Sequence, residues 1–185
     1  MKAKVISIFF FLSIINITFA QENNKNNSNL RDFFKVEIFV DKVNLGYELP
    51  ISDKFLIDFA TGVSAANDFR DGTQGIKWVD NGTSYLGFFF RGQVRYYFNR
   101  NSREKRGHSL ANNAGSFLGF QSKYNFNGNK DIGKVLLNEL HFGQQLPLGK
   151  KIFFRYHAGV GYGYNFGEKY NSIYPALGLV LGYAF

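Results

Sequence analysis

The segment 86-LGFFFRGQVRYYF-98 places large apolar side chains at alternate positions and charged or polar ones between them. A period of two is the period of a β-strand, because successive side chains point to opposite faces of the sheet. The segment therefore predicts a strand with an apolar face and a polar face. The apolar face carries Leu86, Phe88, Phe90, Val94, Tyr96 and Phe98, and the polar face carries Arg91, Gln93 and Arg95.

The same alternation recurs from residue 34 to the last residue. The chain is also rich in residues that favour strands, with 22 Phe and 11 Tyr, and it holds only 3 Pro. An all-β fold is therefore predicted. The other alternating segments are Phe34–Val40, Val43–Leu49, Phe55–Val63, Leu118–Phe126, Leu136–Leu146, Ile152–Tyr164 and Leu177–Phe185.

Two similar segments, 49-LPISDK-54 and 146-LPLGKK-151, predict tight hairpin turns with the proline outside the ladder. If both turns lie at the same edge of the sheet, residues 34–49 must hold two short strands. The total is then eight, in agreement with the even strand number of single-chain bacterial barrels. The predicted fold is an eight-stranded antiparallel up-and-down transmembrane β-barrel. A soluble antiparallel sandwich with one wet face is the alternative.

The N-terminus reads as a signal peptide over residues 1–20. Lys2 and Lys4 precede an apolar run, and Thr18-Phe19-Ala20 forms a small-residue cleavage pattern. Residues 21–32 are polar and Asn-rich and predict a disordered lead-in, which leaves 33–185 for the barrel. The chain has no Cys, so disulfides, thiolate metal sites and a lipid-modified Cys are excluded. The net charge of +8 favours anionic envelope components over nucleic acid as partners of an exported protein.

The last strand carries a resemblance. Tyr183-Ala184-Phe185, with apolar residues at every second position back to Leu177, resembles the C-terminal strand of bacterial outer-membrane barrels. The chain resembles the small eight-stranded barrels grouped as OmpA-, OmpX- or OmpW-like. The resemblance implies an outer-membrane location, contact with outer-membrane lipids and lipopolysaccharide, and recognition of Tyr183 and Phe185 by the barrel-assembly machinery. It implies no cofactor, and the oligomeric state stays open, with a monomer expected.

The polar face of the predicted barrel carries charges of both signs. Eight strands enclose an interior just wide enough for side chains, and buried charges must be paired. An internal salt-bridge network is therefore predicted, with a gated conduit as the alternative. Its expected members are Glu37, Glu48, Asp58 and Glu139 together with Arg91, Arg95, Lys123 and Arg155.

The strand order predicts which connections share an edge. Asn67–Thr83, Asn127–Gly133 and Asn165–Ser172 are expected outside the cell, and the first is the candidate recognition surface through Phe69, Arg70 and Trp78. Asn99–Ala114 falls at the opposite edge with the tight turns and is long for that position. Its basic cluster predicts a solvated loop or contact with anionic headgroups or peptidoglycan. The cluster consists of Arg100, Arg103, Lys105 and Arg106.

Two arrangements could carry chemistry. Glu139, His141 and His157 share the polar face of neighbouring strands and could bind a metal or transfer protons, although satisfied interior histidines are the preferred interpretation. The segment containing His108 and Ser109 faintly resembles that of lipid A deacylases, but the spacing differs. No enzyme is therefore predicted. The expected function is a non-enzymatic structural or surface-interaction role, with a narrow channel as the alternative and a lipid-modifying enzyme as a weaker one.

Overall fold

The computed structural model describes residues 29–68, 75–77, 79–80, 83–84, 86–127 and 134–185. Eight long strands run antiparallel in chain order. They are β1 Phe33–Phe39, β2 Lys42–Pro50, β3 Phe55–Asp68, β4 Leu86–Tyr97, β5 Gly115–Asn127, β6 Val135–Pro147, β7 Ile152–Asn165 and β8 Tyr170–Ala184. Three short strands, Gly75–Lys77, Val79–Asp80 and Thr83–Ser84, lie between β3 and β4.

The eight strands close into a barrel. Each pairs with its neighbours in sequence, and β1 pairs with both β2 and β8, with Val36 opposite Tyr183. The predicted all-β, eight-stranded up-and-down barrel is therefore confirmed. The division of residues 34–49 into two strands is also correct, because the chain turns at Val40 and Asp41.

The two similar proline-containing segments form equivalent turns. In the first, the Ile51 amide donates to the Phe55 carbonyl at 2.9 Å, and in the second the Leu148 amide donates to the Ile152 carbonyl at 2.7 Å. Gly149 has a φ of +94°, which a residue with a side chain rarely adopts. Both turns lie at one end of the barrel, here called the turn end.

The turn end also holds segment 98–114 and the last residue. Segment 98–114 contains helix α1, Arg100–Lys105, and a short 3₁₀ turn, Ala111–Asn113. The opposite end, here called the loop end, holds the β1–β2 turn and the connections from β3 to β4, β5 to β6 and β7 to β8. The last of these is a turn of four residues, because β8 begins at Tyr170 within the predicted loop Asn165–Ser172.

Several predictions fall outside the described residues: the signal peptide 1–20, most of the lead-in, and the candidate surface residues Phe69, Arg70 and Trp78. Within the part of the chain that the structure describes, no helix is long and apolar enough to span a bilayer.

Burial along the strands is opposite to that of a soluble sheet protein. Inward side chains are largely charged or amide-bearing and are buried, whereas outward positions carry exposed large apolar residues on every strand. Phe88 is 68% exposed and Leu177 is 67% exposed. A soluble sandwich would bury its apolar face, so that alternative does not fit this structure.

Inward-facing glycines make room for inward-facing rings. Five of these glycines lie directly across the ladder from a ring on the next strand, and a Cβ added there would come within 2.1–2.6 Å of that ring. The narrow interior is thus filled by alternating a bare backbone with a large side chain. The pairs are Gly119–His141, Gly143–Phe117, Gly161–Tyr174, Gly178–His157 and Gly182–Phe153.

Candidate functional site

The interior holds two groups of titratable side chains at different heights. The first, here called the carboxylate cluster, consists of Glu37, Glu48 and Asp58 on β1, β2 and β3. The Lys35 ammonium lies at its centre, with Nζ at 2.7, 2.8 and 2.7 Å from Glu37, Glu48 and Asp58. All four side chains are at most 1% exposed. The lysine therefore occupies the position in which three carboxylates would otherwise hold an external cation.

Three arginines from β4 and β7 complete the network. Arg91 and Arg95 come from β4, the strand next to β3, and Arg155 comes from β7, so the ion pairs join β1–β3 to β4 and β7 through the interior. Removing one member of such a buried set leaves an uncompensated charge, which costs about 3–5 kcal/mol. The contacts are Arg91–Glu37 at 2.9 Å, Arg91–Asp58 at 3.3 Å, Arg95–Glu48 at 3.1 Å, Arg155–Glu37 at 2.6 Å, and Arg95 with Asp58.

Amide and hydroxyl side chains accept further hydrogen bonds from two of the arginines. Arg95 donates to the Gln93 and Gln145 side-chain oxygens at 3.0 and 3.1 Å and to the Tyr97 hydroxyl at 3.1 Å. Arg155 also donates to Gln145, at 3.2 Å. Hydrogen bonds of this kind between buried side chains rigidify the interior.

Segment 98–114 turns back into the turn end of the barrel. The Asn113 amide donates to Glu48 at 2.8 Å and to the Arg31 carbonyl at 2.7 Å, and its oxygen accepts from the Arg31 amide at 2.8 Å. The Gln145 amide donates to the Asn112 carbonyl. The segment is thus bonded directly to the carboxylate cluster and to the residues preceding β1.

The base of this segment is fixed by Arg100, the first residue of α1. Its guanidinium donates to the carbonyls of Ala114 at 2.9 Å and Asn29 at 3.1 Å, and burial lowers its pKa from the usual value. Leu30 packs with inward residues of the barrel wall in an apolar cluster beneath the network. This apolar cluster consists of Leu30, Leu56, Tyr97 and Phe117.

Segment 98–114 and residues 29–32 together close the turn end, and they are called the plug below.

The second group, here called the histidine cluster, consists of Glu139 and His141 on β6 and His157 on β7. One carboxylate oxygen and one nitrogen of each ring lie within 4.8 Å of one another. The rings stack with centroids 4.3 Å apart, and His157 Nε2 lies 3.9 Å from Glu139 Oε2. His141 is 1% exposed, whereas the His157 and Glu139 side chains are 10% and 8% exposed.

Neighbouring polar groups orient the histidine cluster. Glu139 accepts from the Gln121 amide at 2.8 Å and from the Tyr174 hydroxyl at 2.9 Å. The Gln93 amide donates to His141 Nε2 at 2.7 Å. Gln93 thereby connects the two clusters, because its oxygen accepts from Arg95.

The structure brings six of the eight predicted charges into one network. Glu139 belongs to the histidine cluster instead. Lys123 is buried with its Nζ 5.5 Å from the centre of the Phe89 ring, and it makes no ion pair with another described residue. Alternation places all eight side chains on one face but does not give their height along the barrel axis, which separates these two from the rest.

Lys35, Gln145 and Asn113 also belong to the network, although the sequence pattern did not predict them. A signal existed for Lys35, which shares the alternating face of Glu37 two residues away. No local signal exists for Asn113, because its partner Glu48 is 65 residues away along the chain. Tyr183 and Phe185 lie on the outer surface with their rings 5.1 Å apart.

Comparisons with protein-family models, curated proteins and solved structures found no match to this chain. Its interpretation therefore depends on its own residues and on the fold.

Proposed function

We propose that this chain is an integral outer-membrane β-barrel protein with a non-enzymatic role, as a closed structural scaffold or a surface-interaction protein of the bacterial envelope. The observation that carries the proposal is the closed barrel with charges inside and large apolar side chains outside. A closed barrel satisfies every backbone group within its own ladder, which makes it one of the few structures that a bilayer tolerates.

Strand lengths support this environment. A tilted membrane-spanning strand needs ~9–11 residues, and β3 to β8 contain 12–15 residues each. The shorter strands β1 and β2 have 7 and 9 residues. Outer-membrane lipids are accordingly the proposed partners of the apolar outer surface.

The filled interior favours a scaffold over a channel. The carboxylate cluster and its four cations cross the interior, and the plug lies against them at the turn end. We therefore expect no steady conductance in a planar bilayer. Current that changes with Arg95→Ala would support the channel alternative instead.

Membrane fractionation followed by a gel of boiled and unboiled protein tests the proposal. A closed barrel resists detergent until it is heated, so the unboiled protein should migrate differently and should be recovered with the outer membrane. A soluble protein with an unshifted band would contradict the proposal.

A matched pair of substitutions tests which surface contacts lipid. Leu140 on β6 and Ile51 in a tight turn are equally exposed, at 57% and 56%. In a membrane, Leu140→Arg should cost ~2–4 kcal/mol because it lies near the middle of a spanning strand, whereas Ile51→Arg should cost ~0–1 kcal/mol. Urea titration of barrel refolded into lipid vesicles measures both. Equal small effects would indicate that water covers the outer surface.

A further inference from the structure

We propose that the histidine cluster is a binding site for a first-row divalent metal ion, with Zn²⁺ as the expected ion. Glu139, His141 and His157 would supply one oxygen and two nitrogens. Imidazole and carboxylate are common ligands of zinc, and two histidines with one glutamate form a known three-residue zinc donor set.

The spacing of the three residues is close to what a metal requires. Ligand atoms at ~2.0–2.1 Å from zinc lie about 3.3 Å apart in a tetrahedral site. The donor atoms of the cluster already lie within 4.8 Å of one another. Side-chain rotations that move these atoms by about an ångström would bring them to the tetrahedral distance.

A second, independent observation points to a ligand. The Nδ1 atoms of His141 and His157 are buried and have no hydrogen-bond partner within the described ranges. His157 can coordinate through this nitrogen, whereas the bond that His141 Nε2 accepts from Gln93 places the His141 proton on Nδ1, so His141 would bind through Nε2 in place of that bond. Such an unpartnered group costs about 1–3 kcal/mol, and an ion or a water is the usual explanation. His141 is 1% exposed, so bulk solvent does not satisfy its ring.

The surroundings have the features that orient metal ligands. Tyr174 and Gln121 donate to the two Glu139 oxygens, as residues around a ligating carboxylate commonly do. Gly119 and Gly178 face the two imidazole rings and leave the space that a side chain would fill. The partial exposure of His157 and Glu139 shows that water reaches the site.

Charge separates this cluster from the other group of acidic ligands in the interior. The carboxylate cluster also brings three donor atoms within 4.8 Å, but Lys35 and the arginines already neutralise it. The histidine cluster has one carboxylate and no cation in contact with it among the described residues. The cations whose charge would oppose a metal are Arg91, Arg95 and Arg155 of the network, Lys42, and Lys123 on β5, whose ammonium lies over the Phe89 ring.

The test uses the full-length detergent-folded protein, stripped with a chelator and then titrated with Co²⁺ and Zn²⁺. Visible absorption should report one bound Co²⁺ per chain, and calorimetry should report one Zn²⁺ that displaces it. His141→Ala, His157→Ala and Glu139→Gln should each weaken Zn²⁺ binding at least about tenfold, because even residues that only orient a ligand contribute ~10–100-fold.

The third histidine of the chain provides the matched control. His108 is exposed in segment 98–114, so His108→Ala should leave Zn²⁺ binding unchanged. The mobility shift of each variant on an unboiled gel shows whether its barrel is closed, and only closed variants are compared. Absence of Zn²⁺ binding by the wild-type protein, or loss of binding in His108→Ala alone, would overturn the proposal. Either result leaves the membrane location untouched, because fractionation tests that separately.

Discussion

The two clusters in the interior differ in the groups that contact their buried carboxylates. The carboxylate cluster brings three carboxylates together around the Lys35 ammonium and adds three arginines. The histidine cluster has one carboxylate held by a hydroxyl and an amide, beside two stacked imidazoles. Every carboxylate of the first cluster contacts the Lys35 ammonium, whereas the second retains two buried ring nitrogens that have no partner among the described residues.

Their positions account for this difference. The carboxylate cluster lies against the plug, and its acidic side chains are at most 1% exposed, so every charge needs a partner from the protein. The histidine cluster is nearer the loop end, and its glutamate is 8% exposed. Water or an ion can therefore complete it. The carboxylate cluster therefore braces the barrel, whereas the histidine cluster can exchange the water or ion that completes it.

The largest expected effect comes from removing the central cation. Lys35→Met should destabilise the barrel by about 3–5 kcal/mol, because Glu37, Glu48 and Asp58 then lose the ammonium that each of them contacts. Urea unfolding monitored by the gel mobility of the unboiled protein measures the loss.

Lys123→Met is the matched control, because Lys123 is a buried lysine of the described barrel wall that lies outside the network. It is 3% exposed and has no ion pair among the residues that the structure describes. Its replacement by an apolar side chain should be neutral or stabilising. If both substitutions cost the same, the loss in Lys35→Met does not come from the three carboxylate contacts of Lys35.

The sequence predicts most of what this first comparison needs. Alternation with a period of two assigns the strands and the inward face, and the repeated proline turns with the even strand number resolve residues 34–49 into two strands. Height along the axis is the missing information. Glu139 and Arg91 share the inward face, yet only the register of the neighbouring strands shows that they belong to different clusters.

The next largest expected effect comes from substituting a glycine that faces the histidine cluster. A Cβ at Gly178 would lie 2.2 Å from the His157 ring, so Gly178→Ala should cost about 1–3 kcal/mol by overpacking and should displace the ring. Zn²⁺ affinity should fall with it, whereas the network around Lys35 should be unaffected. The same urea titration and calorimetry report the two effects.

Gly92 is the appropriate control for the backbone effect of the substitution. It lies in β4 with nothing within 4 Å of an added Cβ, so Gly92→Ala should be neutral or stabilising by up to about 1 kcal/mol. A comparable loss of stability in both variants would show that strand conformation, and not the ring contact, sets the cost.

Segment 98–114 shows where sequence-based prediction stops. The strand order predicted a loop at the turn end, although the segment is long for that position, and the structure places it there. Its inward contacts depend on Asn113, which joins Glu48 and the Arg31 backbone from 65 and 82 residues away. Neither periodicity nor composition encodes such a pairing, because the segment itself has no alternating pattern.

The smallest expected effect tests whether the plug isolates the carboxylate cluster. Asn113→Ala removes the bonds to Glu48 and Arg31 and should favour release of segment 98–114 by about 1.5 kcal/mol. Trypsin should then cleave after Lys105 or Arg106 about tenfold faster if opening is rapid compared with cleavage. Asn101→Ala, at an exposed position of α1, should leave the rate unchanged. If Asn113→Ala is cleaved at the wild-type rate, the bonds of Asn113 do not hold the plug in place. The near-complete burial of the carboxylate cluster would then be due to the barrel wall alone.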